Sequence, residues 1–234
     1  SQSSNAQVDV IYNDLVWSDE FETNGAINST KWHHQTQLPS GGSWFNGEVQ
    51  HYTDELTNSF VNAGFLNIVA KKEPYTSQGF TKQYTSARLN SKFAFKYGRV
   101  DVRAKLPIEA GTWPAIWMLS EKDIYPDQNN GEMDIMERLN HDSFAYQTTH
   151  NHATITLKQE TPKKYNTGKI DPSGYNTYSV SWYPDKLVYA INGIETITYP
   201  KVAGSGTYQW PFDQPFYLII DQQLEGSWPG KVTD

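Results

Sequence analysis

Gly131-Glu132-Met133-Asp134-Ile135-Met136-Glu137-Arg138 decides how this chain is read. Its three carboxylates are separated only by apolar side chains. In a β-strand successive side chains point to opposite faces, so Glu132 and Asp134 share one face while Met133 and Ile135 take the other. Continued without interruption, the strand would set Met136 beside the acids and Glu137 among the apolar residues. A charged Glu is rarely buried without a partner, so the pattern predicts an extra residue, a β-bulge, near Ile135-Met136. The bulge returns Glu137 to the acidic face, and bulges recur beside active sites because they re-aim a side chain. A helix competes, because Met133, Met136 and Leu139 recur at helical spacing. The strand-and-turn texture on both sides argues against it.

A short acidic strand is ordinarily a solvated face. Here the acids have apolar neighbours, no run of Lys or Arg nearby, and many aromatics elsewhere in the chain. That setting makes Glu132, Asp134 and Glu137 candidate catalytic residues. The outer two, brought within roughly 5–5.5 Å, would suit a retaining glycosidase pair.

Upstream, Gly111-Thr112-Trp113-Pro114-Ala115-Ile116-Trp117-Met118-Leu119 reads as a strand whose two tryptophans lie on one face. Downstream, residues 145–152 continue the strand pattern. Residues 177–183 and 187–193 form a hairpin with Pro184-Asp185 at its turn, and residues 216–221 read as a buried apolar strand. Nearer the N-terminus, residues 60–70 read as a hairpin turning at Asn62-Ala63-Gly64. Residues 85–90 and 98–106 alternate as half-buried antiparallel strands, and residues 15–21 are expected to pair as an edge strand. Residues 31–47 are polar, Gly-bearing loops carrying Trp32, Trp44 and Asn46. Many short strands with turn signals and few helical periods indicate an all-β fold, a sandwich or jelly roll.

Composition narrows the function classes. Aromatics make up 14% of the 234 residues; a β-rich core favours them, and flat aromatic faces also suit the C–H faces of sugar rings. The net charge of −7 and the lack of a basic patch argue against nucleic acid as a partner. No apolar run reaches membrane-spanning length, and with no cysteine there is neither disulfide nor thiol chemistry. The polar opening of the chain is compatible with a removed export signal.

Together, Glu132-Met133-Asp134-Ile135-Met136-Glu137 and Trp113-Pro114-Ala115-Ile116-Trp117-Met118-Leu119 resemble glycoside hydrolase family 16, on its laminarinase-like branch. Trp17-Ser18-Asp19-Glu20-Phe21, Asn46-Gly47-Glu48, Tyr84-Thr85-Ser86-Ala87-Arg88-Leu89, Tyr97-Gly98-Arg99 and Trp228-Pro229-Gly230 agree, so the resemblance covers roughly residues 15–232. It implies a β-jelly-roll sandwich of two antiparallel sheets with a concave substrate cleft, residues 1–14 forming a tail and 15–234 one catalytic domain. It also implies an endo-acting, retaining hydrolase: Glu132 the nucleophile, Glu137 the general acid/base, Asp134 between them tuning charge and orientation. Trp117 resembles the aromatic floor under the sugar next to the cleaved bond, whereas Trp113 is either a second platform or a core residue. Asn46 and Arg88 resemble polar contacts on the non-reducing side. His150 matches a histidine near the acid/base that could bond a leaving-group sugar, with His152 as its rival, and Trp228 is expected to cap the cleft.

Three departures from the family pattern bear on substrate: Asp127-Gln128-Asn129-Asn130 before the acids, Gln223-Leu224-Glu225-Gly226-Ser227 before Trp228, and residues 138–150. The first two depart from the usual laminarinase pattern, and the third resembles members that cut β-galactosides inside host O-glycans or poly-N-acetyllactosamine. The expected activity is therefore cleavage of internal β-1,4-galactosidic bonds, with endo-β-1,3-glucanase as the alternative and a non-catalytic sugar-binding sandwich behind both. The partner is a polysaccharide or glycoprotein glycan, met by a monomer that is secreted, periplasmic or on the cell surface. Catalysis calls for no cofactor. The resemblance allows a structural calcium with Glu22 and the Gly64 carbonyl as ligands. The family closes with a strand after the Trp228 region, so that strand is expected to be missing here, leaving an unpaired edge.

Overall fold

The computed structural model describes residues 12–233, and strands dominate it. The first half of the chain forms β1 (Trp32–His34), β2 (Gln50–Tyr52), β3 (Ser59–Asn62), β4 (Phe65–Ile68), β5 (Lys71–Ser77), β6 (Phe80–Ser86), β7 (Arg88–Phe95), β8 (Gly98–Lys105) and β9 (Thr112–Ser120). The second half forms β10 (Glu132–Glu137), β11 (Phe144–His150), the short helix α1 (His152–Ile155), β12 (Tyr165–Lys169), β13 (Tyr175–Trp182), β14 (Lys186–Ile191), β15 (Ile194–Pro200) and β16 (Phe216–Leu224).

Two antiparallel sheets make the body. One has seven strands in the order β1-β7-β16-β9-β10-β11-β12, the other four in the order β15-β14-β13-β8. Their facing sides share one core: Leu89, Ile116, Met118, Met133, Ile135 and Leu218 from the larger sheet pack with Tyr178, Val180, Trp182, Leu187 and Tyr189 from the smaller. Alternation explains the assignment. In β13, Tyr178, Val180 and Trp182 sit at every second position and are all essentially inaccessible. The larger sheet turns its other face outward, and that face carries the acids. The all-β sandwich expected from the sequence is therefore the fold found.

The hairpin β3–β4 turns at Ala63-Gly64, both with positive φ (51° and 84°), the geometry of a tight two-residue turn. The β13–β14 hairpin also falls where the sequence placed it. Trp32, expected on a loop, instead lies on β1 and is buried in the core, and three further details differ. Residues 15–21 are coil and not an edge strand: Phe21 adopts a left-handed conformation (φ 55°), and Asp19 accepts from the Phe21 backbone N–H and the Trp32 indole. The stretch 85–90 is two strands, because the chain leaves β6 at Ser86 and enters the larger sheet at Arg88. Finally, a further sheet, β2-β6-β5, contains a parallel pair, β2 with β6.

Candidate active site

The predicted bulge is present. Asp134 opposes Trp117 and Met136 opposes Ile116, which leaves Ile135 as the extra residue. Met133, Ile135 and Met136 all enter the core, at 0–1% exposure, and so Glu132, Asp134 and Glu137 emerge together on the outer face. A bulge that buries two consecutive apolar residues is what lets a five-residue separation keep the outer acids in one row.

Neighbouring strands complete the floor. Across β9 the same face shows Trp113, Ala115 and Trp117, with Ala115 opposite both Glu137 on β10 and Asp221 on β16. The small side chain leaves a hollow between two tryptophans and two carboxylates. Trp113 is buried but belongs to the site and not only to the core: its indole N–H donates to Glu137 Oε2 at 2.9 Å, and its ring meets Trp228 edge-on at 5.4 Å. Trp117 donates to Asp221 Oδ2 at 3.2 Å, and the Arg88 guanidinium lies between the Trp44 and Trp117 rings, 5.3 and 4.9 Å from their centroids.

His150 sits beside the acids but at the other end from the one expected. Its Nε2 lies 3.1 Å from Asp134 Oδ2 and 3.8 Å from Glu132 Oε2, because β11 pairs with β10 so that His150 opposes Glu132. His152 heads α1 instead and packs on Tyr208. Glu132, Asp134 and His150 also form a group whose ligand atoms lie within 4.8 Å of one another, a donor set that could take a divalent cation.

The electrostatics follow from crowding. Burial and mutual repulsion push all three acids of the row upward, Glu137 to about 7. The row therefore keeps protons near neutral pH. His150 and Arg88 oppose the shift at Glu132, whereas Glu137 feels the charges of Glu132 and Asp221. Asp134 hydrogen-bonds to both neighbours.

Two cavities meet at this row. One, of about 240 Å³, is bounded by Trp44, Glu48, Tyr52, Arg88, Asp221 and Gln223. The other, of about 630 Å³, is bounded by Tyr146, His150, Lys164, Tyr165 and Trp228. Asn46, Trp113 and the three acids line both. Asn46 is exposed on the turn Phe45–Gly47 (its φ is 61°), and its carbonyl accepts from the Ser227 N–H, which ties that turn to the Trp228 loop. Trp228 is 41% exposed and leans on Tyr146 at 4.7 Å, at the rim of the larger cavity.

The site thus gathers every cleft residue expected from the sequence and adds Glu48, Tyr52, Asp221 and Gln223. Asp221 and Gln223 lie in the polar run Asp221-Gln222-Gln223 that breaks the otherwise apolar β16, a run that gives no sign in the sequence of which face it serves. Glu22 and Gly64 lie outside the cleft. Their segments are clipped together by the Gly25–Val61 bridge and by the Ala63 N–H donating to Asn24. Calcium takes six to eight oxygens, so a calcium site there would draw on further oxygens besides this carboxylate and carbonyl.

Comparison with known proteins agrees with this geometry. A model of glycosyl hydrolases family 16 matches residues 46–233. The chain is 33% identical to a keratan-sulfate endo-1,4-beta-galactosidase from Sphingobacterium multivorum, across 94% of this chain and 51% of that protein. It is 35% identical to a beta-glucanase from Rhodothermus marinus, across 93% of this chain and 78% of that one. Among solved structures, LamA from Zobellia galactanivorans in complex with laminaritriose and laminaritetraose superimposes with a TM-score of 0.82 at 36% identity, covering 96% of this chain and 94% of that one. The chain spans about half the length of the galactosidase.

Proposed function

The chain belongs to glycosyl hydrolases family 16, and from that premise we propose that it is a retaining, endo-acting β-glycosidase whose chemistry is carried by Glu132, Asp134 and Glu137. The observation that carries the reading is the meeting of two cavities at the acid row, with Glu132, Asp134 and Glu137 lining both. A cleft open on both sides of the reacting groups accepts the interior of a chain.

In the first step the Glu132 carboxylate attacks the anomeric carbon while Glu137 gives its proton to the departing glycosidic oxygen. Glu132 must be ionised for this step, and His150 and Arg88 favour that form only in part, against burial and the Asp134 charge that raise its pKa; burial and the charges of Glu132 and Asp221 keep Glu137 protonated. Once the glycosyl ester forms, the charge on Glu132 is gone. Glu137, now a carboxylate, takes a proton from water as that water attacks the same carbon and frees Glu132. Asp134 positions both partners through its hydrogen bonds, and the Trp113 indole holds Glu137. The steps require no cofactor, so a chelator is expected to leave turnover unchanged.

For the substrate we favour an internal β-1,4-galactosidic bond in a host-type glycan, on the departures at residues 127–130, 138–150 and 223–227. A second reading, endo-β-1,3-glucanase, is favoured by the similarity to LamA seen with laminarin fragments. Either substrate is a large glycan, which suits a protein acting outside the cytoplasm as a monomer; no helix among the described residues is long and apolar enough to cross a membrane. Parallel incubation with laminarin, mixed-linkage glucan, poly-N-acetyllactosamine and mucin O-glycans separates the readings. Galactose-terminated oligosaccharides from the last two alone support the first, and gluco-oligosaccharides from laminarin support the second. If none of the four is cut yet glycans still bind, the binding-module alternative takes over.

A further inference from the structure

The double displacement leaves two polar groups of the smaller cavity without a task. Glu48 follows the Phe45–Gly47 turn and is 8% exposed. Its Oε1 accepts from Gln50 Nε2 at 2.9 Å and from the Tyr52 hydroxyl at 3.4 Å. Its Oε2 has no hydrogen-bond partner among the described residues, nor does it belong to the buried unpartnered atoms, so it opens on the cavity. Gln223 on β16, 7% exposed, spends its amide N–H₂ on Asp221 Oδ1 and the Trp113 carbonyl. Its Oε1 is likewise left to the cavity.

The charged and titratable groups facing Glu48 come from four strands: Tyr52 on β2, Lys82 on β6, Arg88 on β7 and Asp221 on β16. None of the cations forms an ion pair with it within 4 Å. Arg88 is held between Trp44 and Trp117, in the field of Asp221. A buried carboxyl with a like charge beside it and no ion pair keeps its proton.

We propose that Glu48 acts as a neutral carboxylic acid which, together with the Gln223 Oε1, reads adjacent hydroxyls of the sugar filling the smaller cavity. The acid donates from Oε2 to one hydroxyl oxygen, and the Gln223 carbonyl accepts from the next hydroxyl. Such a donor–acceptor pair fits an uncharged hexose with both hydroxyls free and rejects one sulfated or substituted there. Charged or branched substituents are left to the larger cavity, lined by Lys164, since the cation of the smaller one, Arg88, is held between the Trp44 and Trp117 rings. Burial and the Asp221 charge raise the Glu48 pKa to about 8, so the donor is present at neutral pH and lost above it. The inference rests on the glycan-binding part of the proposed function.

The test is calorimetric titration of laminaritetraose and of an unsulfated poly-N-acetyllactosamine tetrasaccharide into Glu132→Gln protein between pH 6 and 9.5. The titrations are repeated with Glu48→Gln and Glu48→Leu added. The account expects the dissociation constant of the bound probe to rise roughly tenfold above pH 8 with Glu48 present, the loss of about one hydrogen bond. With Glu48→Gln, whose amide donates at every pH, that rise disappears. With Glu48→Leu binding is weak throughout. A rise that persists in the Glu48→Gln protein, or a dissociation constant flat with pH while Glu48 is present, overturns the assignment even if the wild-type protein hydrolyses glycans. Binding with the expected pH profile but no hydrolysis by wild type sinks the hydrolase reading and leaves Glu48 in place. Failure of both probes to bind overturns both.

Discussion

At the scale of the residue, the site turns on which carboxyl keeps its proton. Glu137 must be protonated to start the reaction, and with its pKa at about 7, kcat/KM is expected to fall as pH rises beyond neutrality. The Trp113 indole hydrogen bond holds that pKa down. Trp113→Phe removes it, so the alkaline limb of the pH–rate profile should move to higher pH; a limb that stays put would separate Trp113 from the proton transfer. Glu137→Gln should lower kcat by roughly 10²–10⁴ while glycan binding persists, measured by initial rates and by titration of the same oligosaccharide. The acids were legible in the sequence because apolar residues bracket them and the bulge follows from parity. Asp221 and Glu48 were not legible as site residues. Each is a single carboxylate in its own stretch, and only the pairing of β16 with β9 and β7, together with the docking of the Phe45–Gly47 turn, brings them to the cleft.

Among the elements, turns and bulges do the positioning. The Ala63-Gly64 turn asks a non-glycine residue to adopt φ 51°. Ala63→Asn creates the Asn-Gly pair that such a turn prefers, and should stabilise the protein by about 0.5–1 kcal/mol, seen as a thermal midpoint raised by roughly 2 °C. Gly226 works in the opposite sense. It has φ 105°, and a Cβ there would stand 2.6 Å from the Asn46 carbonyl oxygen, so Gly226→Ala must push the Phe45–Gly47 turn away. Because that turn carries Asn46 and leads into Glu48, the expected result is a higher KM with a smaller change in kcat; an unaltered KM would show that the two loops do not set the cleft. Hairpins and turns were readable because their residue types act locally. The coil at 15–21 was misread as a strand because its apolar opening, Leu15-Val16-Trp17, suits an edge strand, and what overrides it is tertiary: Asp19 bonding the Trp32 indole. The parallel pairing of β2 with β6 is equally non-local, joining strands separated by the whole β3–β5 segment.

For the molecule as a whole, a face crowded with buried acids couples activity to stability. Glu48, Asp221 and Glu137 have pKa values of about 8, 7 and 7 in the fold, against ordinary values of 4.5, 3.8 and 4.5. A raised folded value means stability that is complete below the unfolded value and lost as pH rises through the folded one. The protein should therefore melt at a higher temperature at pH 5 than at pH 8.5, and Glu48→Gln should lessen that difference. A midpoint that climbs steadily toward pH 8.5 would contradict the electrostatic picture. The sandwich itself was legible from strand texture, and the family from the combined motifs; the two cavities were not, since each is assembled from loops and strands far apart in the chain. The central claim is that Glu132 and Glu137 work by double displacement on an internal bond. Proton NMR of the first minutes of hydrolysis, on whichever of the four glycans is cut, tests it most directly. The account predicts that the newly formed reducing ends appear as the β-anomer and only later mutarotate. First appearance of the α-anomer would mean inversion, and would remove Glu132 from its role as nucleophile.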